Sequence, residues 1–199
     1  IFREAAAQFR NPVLLYSTYI GGSIDDQSYC LAVDDGGNAY ISGLASSSDF
    51  PVPVGSPPIT PRGGQDFFVS KLNADGTAIL YSTYFGGSGT EEFLKAKPGE
   101  ITVDHLGNAY VGGWTMASDF VTTPGAYDTT FGGGTDDAFI TKLDAVGGVV
   151  YSTYLSGEGS DQVLGIAVNA GQVYVTGRTN SPNYPTKAAF QPTLLGGQQ

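Results

Sequence analysis

Apolar and polar positions alternate along this chain in short bursts, each ended within a few residues by Gly, Asn, Asp, Ser or Pro. That rhythm predicts strands rather than helices. Leu31-Ala32-Val33 faces Ala39-Tyr40-Ile41 across a Gly-Asn turn, a strong hairpin signal. After a loop rich in Ser, Pro and Gly, Phe67 to Leu72 is expected to pair with Ile79 to Phe85 across Asn73-Ala74-Asp75-Gly76-Thr77. On the last of these strands Leu80, Ser82 and Tyr84 share one face, and Tyr81, Thr83 and Phe85 the other. Neither face is plainly polar, so both are expected to be covered, as in sheets stacked face to face.

The same pattern then returns. Tyr16-Ser17-Thr18-Tyr19 recurs as Tyr81-Ser82-Thr83-Tyr84 and as Tyr151-Ser152-Thr153-Tyr154, 65 and then 70 residues later. Val33-Asp34-Asp35-Gly36-Gly37-Asn38-Ala39-Tyr40 recurs at Val103 to Tyr110 and, one residue shorter, at Val168 to Tyr174. Asp66 to Leu72 has its counterpart in Asp137 to Leu143. Three copies of one unit of four antiparallel strands, at a period this long, fit β-propeller blades, which bury both faces against their neighbours. The reading predicts strands near 31–33, 39–43, 67–72 and 79–85, and again near 101–103, 109–113, 138–143 and 149–155. Small residues at equivalent positions (Ala32, Thr102, Ala167) mark the first strand of each unit as the innermost. Five extra residues of the middle unit fall between Gly89 and Val103, around Lys95 to Gly99, where a longer loop costs little.

These motifs carry a family resemblance. Tyr-Ser-Thr-Tyr, Gly-Gly-Ser at 21–23 and 86–88, Val-Asp-x-x-Gly-Asn-Ala-Tyr, Ser-Asp-Phe at 48–50 and 118–120, Thr-Pro-Gly-Ala-Tyr at 123–127 and Asp-Ala-Phe-Ile-Thr-Lys-Leu resemble the bacterial SBBP repeat, named for seven-bladed β-propellers. The resemblance covers residues 13 to 199. It implies an all-β fold of four-stranded blades in exported or cell-surface proteins, and it implies no catalytic residues, since the family is defined by its scaffold.

The expected organisation is therefore an N-terminal lead-in over residues 1–12, which could serve as a closing strand, followed by a propeller segment over 13–199. Its units are approximately 28–85, 99–155 and 164–199, the last taken together with 13–20. Gly196-Gly197-Gln198-Gln199 aligns with Gly63-Gly64-Gln65, just before a third strand, so the third unit lacks its last two strands. Val13 to Ile20 is expected to supply one of them, and Ala5 to Arg10 a second if the chain turns at Asn11-Pro12. Three units are fewer than the four or more blades of ordinary propellers. Further blades, a protein partner or another copy of the chain are expected to complete the arc.

Composition narrows the chemistry. Gly (29) and Pro (11) make up about a fifth of the 199 residues, which disfavours long helices, while 41% apolar residues are too many for a disordered chain. Nine Lys and Arg against 19 Asp and Glu give a net charge of −10, with no basic cluster for a phosphate backbone, so nucleic acid is not an expected ligand. No apolar run approaches the ~20 residues of a membrane-spanning helix, and membrane insertion is not expected. Ile1-Phe2-Arg3-Glu4 shows neither a start Met nor a signal-peptide pattern, as expected of a processed chain or a segment of a longer one. A single Cys and a single His preclude an internal disulfide and an imidazole-rich metal site.

What remains is carboxylate. Asp25-Asp26, Glu91-Glu92 and Asp161 follow the Tyr-Ser-Thr-Tyr strand of successive units and are the candidate Ca²⁺ ligands. Recurrence in every unit argues equally for loop-capping acids, and no other cofactor is expected. The Asp-x-x-Gly-Asn segments at 34–38 and 104–108 lack the alternating ligands of a calcium loop and read as Asx-stabilised hairpin turns. His105 reads as an exposed turn residue, Cys30 as a buried inert thiol and Trp114 as a strand-end anchor. Without a unique polar constellation, the expected function is a non-enzymatic extracellular or cell-surface scaffold or binding module for protein or glycan. The alternative is a propeller enzyme acting on carbohydrate through an axial acidic site.

Overall fold

The computed structural model describes residues 14–57, 64–88 and 98–195. Its ten strands are β1 (Asp26–Val33), β2 (Ala39–Ala45), β3 (Asp66–Leu72), β4 (Ile79–Phe85), β5 (Pro98–Val103), β6 (Ala109–Thr115), β7 (Asp137–Leu143), β8 (Val149–Tyr154), β9 (Asp161–Asn169) and β10 (Gln172–Thr179). They form two four-stranded antiparallel sheets, β1-β2-β3-β4 and β5-β6-β7-β8, and one two-stranded sheet of β9 and β10. The predicted meander is therefore present twice in full and once as an inner hairpin. The sheets are stacked in series: β5 lies against both β1 and β9, which makes the first strand of each unit the innermost of its sheet. Among the described residues the arc of sheets does not close.

The inner hairpins of the first two units are built by Asx turns, while that of β9 and β10 turns through Ala170 and Gly171 at positive φ. Asp34 Oδ1 accepts the backbone N–H of Asn38 at 2.9 Å, and Asp104 Oδ1 that of Asn108 at 2.9 Å. The glycine before each Asn, Gly37 or Gly107, takes a positive φ of 83° or 79° that a side chain would resist. The outer hairpins turn in a similar way, with Asn73 and Asp144 accepting the N–H groups of the residues that close them.

The first strands begin earlier than the pattern predicts, at residues 26, 98 and 161, and a bulge is the reason. Tyr29, Gly99 and Leu164 each interrupt the register with the second strand, so pairing resumes on the far side of the extra residue. Gly43 and Gly177 lie opposite. A Cβ at Gly43 would sit 1.9 Å from the Gln27 carbonyl oxygen, and one at Gly177 1.9 Å from that of Gln162. Pro98 and Gly99 consequently belong to β5 and not to an inserted loop.

Stacking buries the face that the first sheet turns to the second, and loop aromatics cover part of the other faces. Phe67 and Phe85 of the first sheet meet Phe120 and Phe139 of the second, with the Phe67 and Phe139 rings 4.9 Å apart. Phe120 also packs on Phe139 at 4.6 Å and on Tyr154 at 5.9 Å. The equivalent set in the first unit, Phe50, Phe68 and Tyr84, is arranged alike.

The N-terminal segment departs from expectation. Residues 14–20 form no strand and do not complete the third unit. Tyr16 instead lies over the outer turn of the first unit, so close that a Cβ at Gly76 would meet its ring at 2.2 Å. Tyr81, the same motif residue one unit later, sits in the same way over Gly147 of the second unit. The segment thus makes the contact of a fourth strand without a sheet, because among the described residues no third strand lies beside it. Val13 and Ala5 to Arg10 lie outside the described residues.

Candidate functional site

The acidic residues of the repeat fall in the loops that carry the chain from one sheet to the next. Asp26 opens β1, and its Oδ2 accepts the N–H of Gly22 at 2.7 Å and the hydroxyl of Ser47 at 2.7 Å. Its Oδ1 accepts the N–H groups of Ser46 and Ser47. Asp161 opens β9 in the same way, with Gly157 N–H at 2.8 Å and the Ser181 hydroxyl at 2.7 Å on Oδ2. A second clip recurs beside it: Asp49 accepts Ser23 N–H, Asp119 accepts Ser88 N–H and Asn183 accepts Glu158 N–H. The repeated acids are thus acceptors for otherwise orphaned backbone donors of the inter-sheet linkers. Burial would push the Asp26 carboxyl up, but the hydrogen bonds from Gly22, Ser47 and Ser46 outweigh it and hold it below its ordinary value.

The candidate calcium ligands do not meet as one shell. Asp25 is exposed, Asp26 and Asp161 lie in different sheets, and Glu91 and Glu92 fall outside the described residues. Among the described residues no three His, Cys, Asp or Glu side chains come together in a way that could hold a metal.

One pair of carboxylates does approach across a sheet boundary. Asp137, at the start of β7, is fully buried and accepts the Gly132 N–H. Burial pushes its carboxyl up to about 6, the hydrogen bond from Gly132 N–H opposes this, and the charge of Asp161 adds to the rise. Oδ1 of Asp137 and Oδ1 of Asp161 are both buried without a hydrogen-bond partner. Neither position was distinguished in the sequence as half of a pair, since they stand 24 residues apart in different units. Enclosed as it is, Asp137 cannot reach a solute and serves as an anchor.

Of the remaining single residues, the turn acids and His105 lie where the pattern placed them, and Cys30 is less buried than expected. Asp34 gathers Asn38, the Tyr40 hydroxyl at 3.2 Å and the Lys71 ammonium at 3.5 Å, and Asp104 gathers Asn108 and the Tyr110 hydroxyl at 3.0 Å. His105 is an exposed turn residue. Cys30 is half-buried against the core, and burial together with the Glu100 charge raises its thiol above the ordinary value, which suits an unreactive thiol. Trp114 lies within β6 opposite Ala138. Its third-unit counterpart, Arg178, begins a relay that sequence reasoning missed: Arg178 Nε donates to Gln162 Oε1 at 3.0 Å, and Gln162 Nε2 to Asp136 Oδ2 at 2.8 Å. This relay borders an open polar cleft of 390 Å³. The signal was the departure of Arg178 from the apolar Leu44 and Trp114.

Comparison with known proteins agrees with this geometry. The family model described as a beta-propeller repeat, SBBP, matches residues 15–51 and 80–120. Both stretches are similar to that repeat. Each match runs from the Tyr-Ser-Thr-Tyr segment through the linker and inner hairpin to the end of the second clip, so the family's unit includes the clips themselves. No curated protein matches the chain.

Proposed function

We propose that this chain is a non-enzymatic propeller module of the extracellular space or cell surface, which holds a protein or glycan partner. The observation that carries the reading is the use to which the recurrent acids are put. Asp26, Asp49, Asp119 and Asp161 all take backbone donors of the linkers, an architectural task repeated from unit to unit. A catalytic acid and base would instead need reachable, unrepeated carboxylates facing one substrate. Export rests on the family resemblance and on the Gly-, Ser-, Thr- and Tyr-rich composition.

The test is turnover. The chain, incubated with neutral glycans and polyuronates, is expected to leave every one intact by chromatography. Product formation that a single Asp or Glu substitution abolishes, with the circular dichroism spectrum unchanged, would overturn the reading.

A further inference from the structure

The junction of the second and third units carries polar side chains that the repeat does not call for. Across β9 and β10 Gln162 stands opposite Arg178, where the first unit pairs Gln27 with Leu44. The residue before the third strand differs as well, being Asp136 in the second unit and the neutral Gln65 in the first. These changes put a cation and an anion on either side of one glutamine. The cleft they border, 390 Å³ in volume, lies at the strand ends: Thr135 and Asp136 precede β7, Ser160 precedes β9 and Asn180 follows β10. It spans the linker that joins two sheets, and both of its walls are part of the described chain.

Hydrogen bonds fix the walls to one another. Ser160 Oγ accepts Thr135 N–H at 3.1 Å, Asn180 Oδ1 accepts Ser160 N–H at 2.6 Å, and the Ser160 carbonyl accepts Asn180 N–H at 3.1 Å. The relay between them has one possible orientation. A carboxylate accepts and a guanidinium donates, so the Gln162 amide must turn Nε2 to Asp136 and Oε1 to Arg178 Nε, at 2.8 and 3.0 Å. Gln162 is 8% exposed and anchors an exposed arginine. Among the described residues the Nη1 and Nη2 groups of Arg178 make no hydrogen bond or ion pair. Lys71 and Lys142, by contrast, are committed to tyrosine rings at 4.7 and 5.1 Å.

We propose that this cleft binds a uronate residue of an acidic glycan, whose carboxylate takes two parallel hydrogen bonds from the guanidinium of Arg178. A guanidinium held at Nε presents its remaining N–H groups as a planar fork, which matches a carboxylate. The nearby charge of Asp136 opposes a doubly charged phosphate or sulfate more than a singly charged acid. The Asn180 amide, whose oxygen already accepts Ser160 N–H, keeps its NH2 group as a donor, and the Thr135 hydroxyl can donate or accept. Such groups suit the ring hydroxyls that flank a uronate carboxyl, and the volume is in the ~300–1,000 Å³ range of small-ligand clefts. Asp136 and Gln162 act as positioning residues. The inference rests on the module reading above and names the class of glycan held.

The experiment titrates trigalacturonate into the full chain, followed by calorimetry and by the Gln162 side-chain amide signals in NMR. Saturable one-to-one binding that shifts those signals is expected. The fully methyl-esterified trisaccharide should bind at least tenfold more weakly, a comparison that needs no variant. Arg178→Leu, which installs the residue the first unit carries at that place, should weaken the acid by about tenfold or more. Arg178→Lys should weaken it too, since an ammonium cannot form the two-point contact. Absence of saturable binding at millimolar trisaccharide overturns the proposal, as does equal binding by the ester or by Arg178→Leu. So does equal affinity for triglutamate, which would make the site one for acidic peptides. These failures leave the non-enzymatic reading standing, because that reading falls only to cleavage of the added glycan.

Discussion

At Asp137 burial wins over hydrogen bonding, while at Asp26 the order is reversed, and the two carboxyls therefore respond to pH with opposite sign. Asp137 titrates at about 6 in the folded chain and near 3.8 when unfolded, so the folded state holds more protons between these values. Stability must fall as pH rises through that window. Asp137→Asn keeps an acceptor for Gly132 and removes the charge. It is expected to flatten the urea-unfolding free energy between pH 4 and about 6 and to raise it at neutral pH by on the order of 2 kcal/mol. Asp26, held low, contributes stability that is present above its unfolded pKa and lost as pH falls through the folded one. Asp161→Ala strips the acceptor from Gly157 N–H and the Ser181 hydroxyl in a buried place. It should cost roughly 1–3 kcal/mol by urea titration.

Among the elements, the inner hairpin is the most demanding. Its bulge brings the Gln27 carbonyl to the place a side chain at Gly43 would occupy, and the Gln162 carbonyl to the corresponding place at Gly177. Gly43→Val is expected to abolish cooperative unfolding or lower Tm steeply, read by calorimetry. Gly64→Ala, where a Cβ meets nothing within 4 Å, should leave Tm nearly unchanged. The outer edge is managed differently. β8 is sheathed by its own loop, through Thr123 N–H to the Ser152 carbonyl and Tyr154 N–H to the Asp128 carbonyl. Those bonds occupy edge groups that would otherwise invite another strand.

For the whole molecule, uncovered faces decide behaviour. Leu31 and Val33 on β1, and Leu164, Tyr174 and Val175 on the β9–β10 hairpin, are each at least 37% exposed although they belong to sheets built to be covered. The isolated chain is accordingly expected to self-associate with rising concentration in sedimentation velocity. A single monomeric species at all concentrations would contradict this. Chelation should leave Tm unchanged, because the Asp26 and Asp161 side chains already take linker donors and stand in separate sheets. A fall in Tm on adding chelator, reversed by Ca²⁺, would restore the calcium reading.

Local sequence alone determined the strands, the Asx turns and the serial repeat, because period-two alternation and turn chemistry act over a few residues. It also placed Asp26 and Asp161 in linkers, without saying what they would hold. The bulges were not legible: the extra residue, Tyr29, Gly99 or Leu164, is ordinary in composition and is fixed only by the partner strand. Nor was the place of residues 14–20, whose fourth-strand sequence promised a sheet. A strand needs a neighbour with free N–H and C=O groups, and a repeat motif cannot tell which neighbour the chain will bring. The raised Asp137 carboxyl likewise belongs to tertiary structure. Desolvation and the charge of Asp161 arise only once the second sheet and the third unit close over residues distant in the chain.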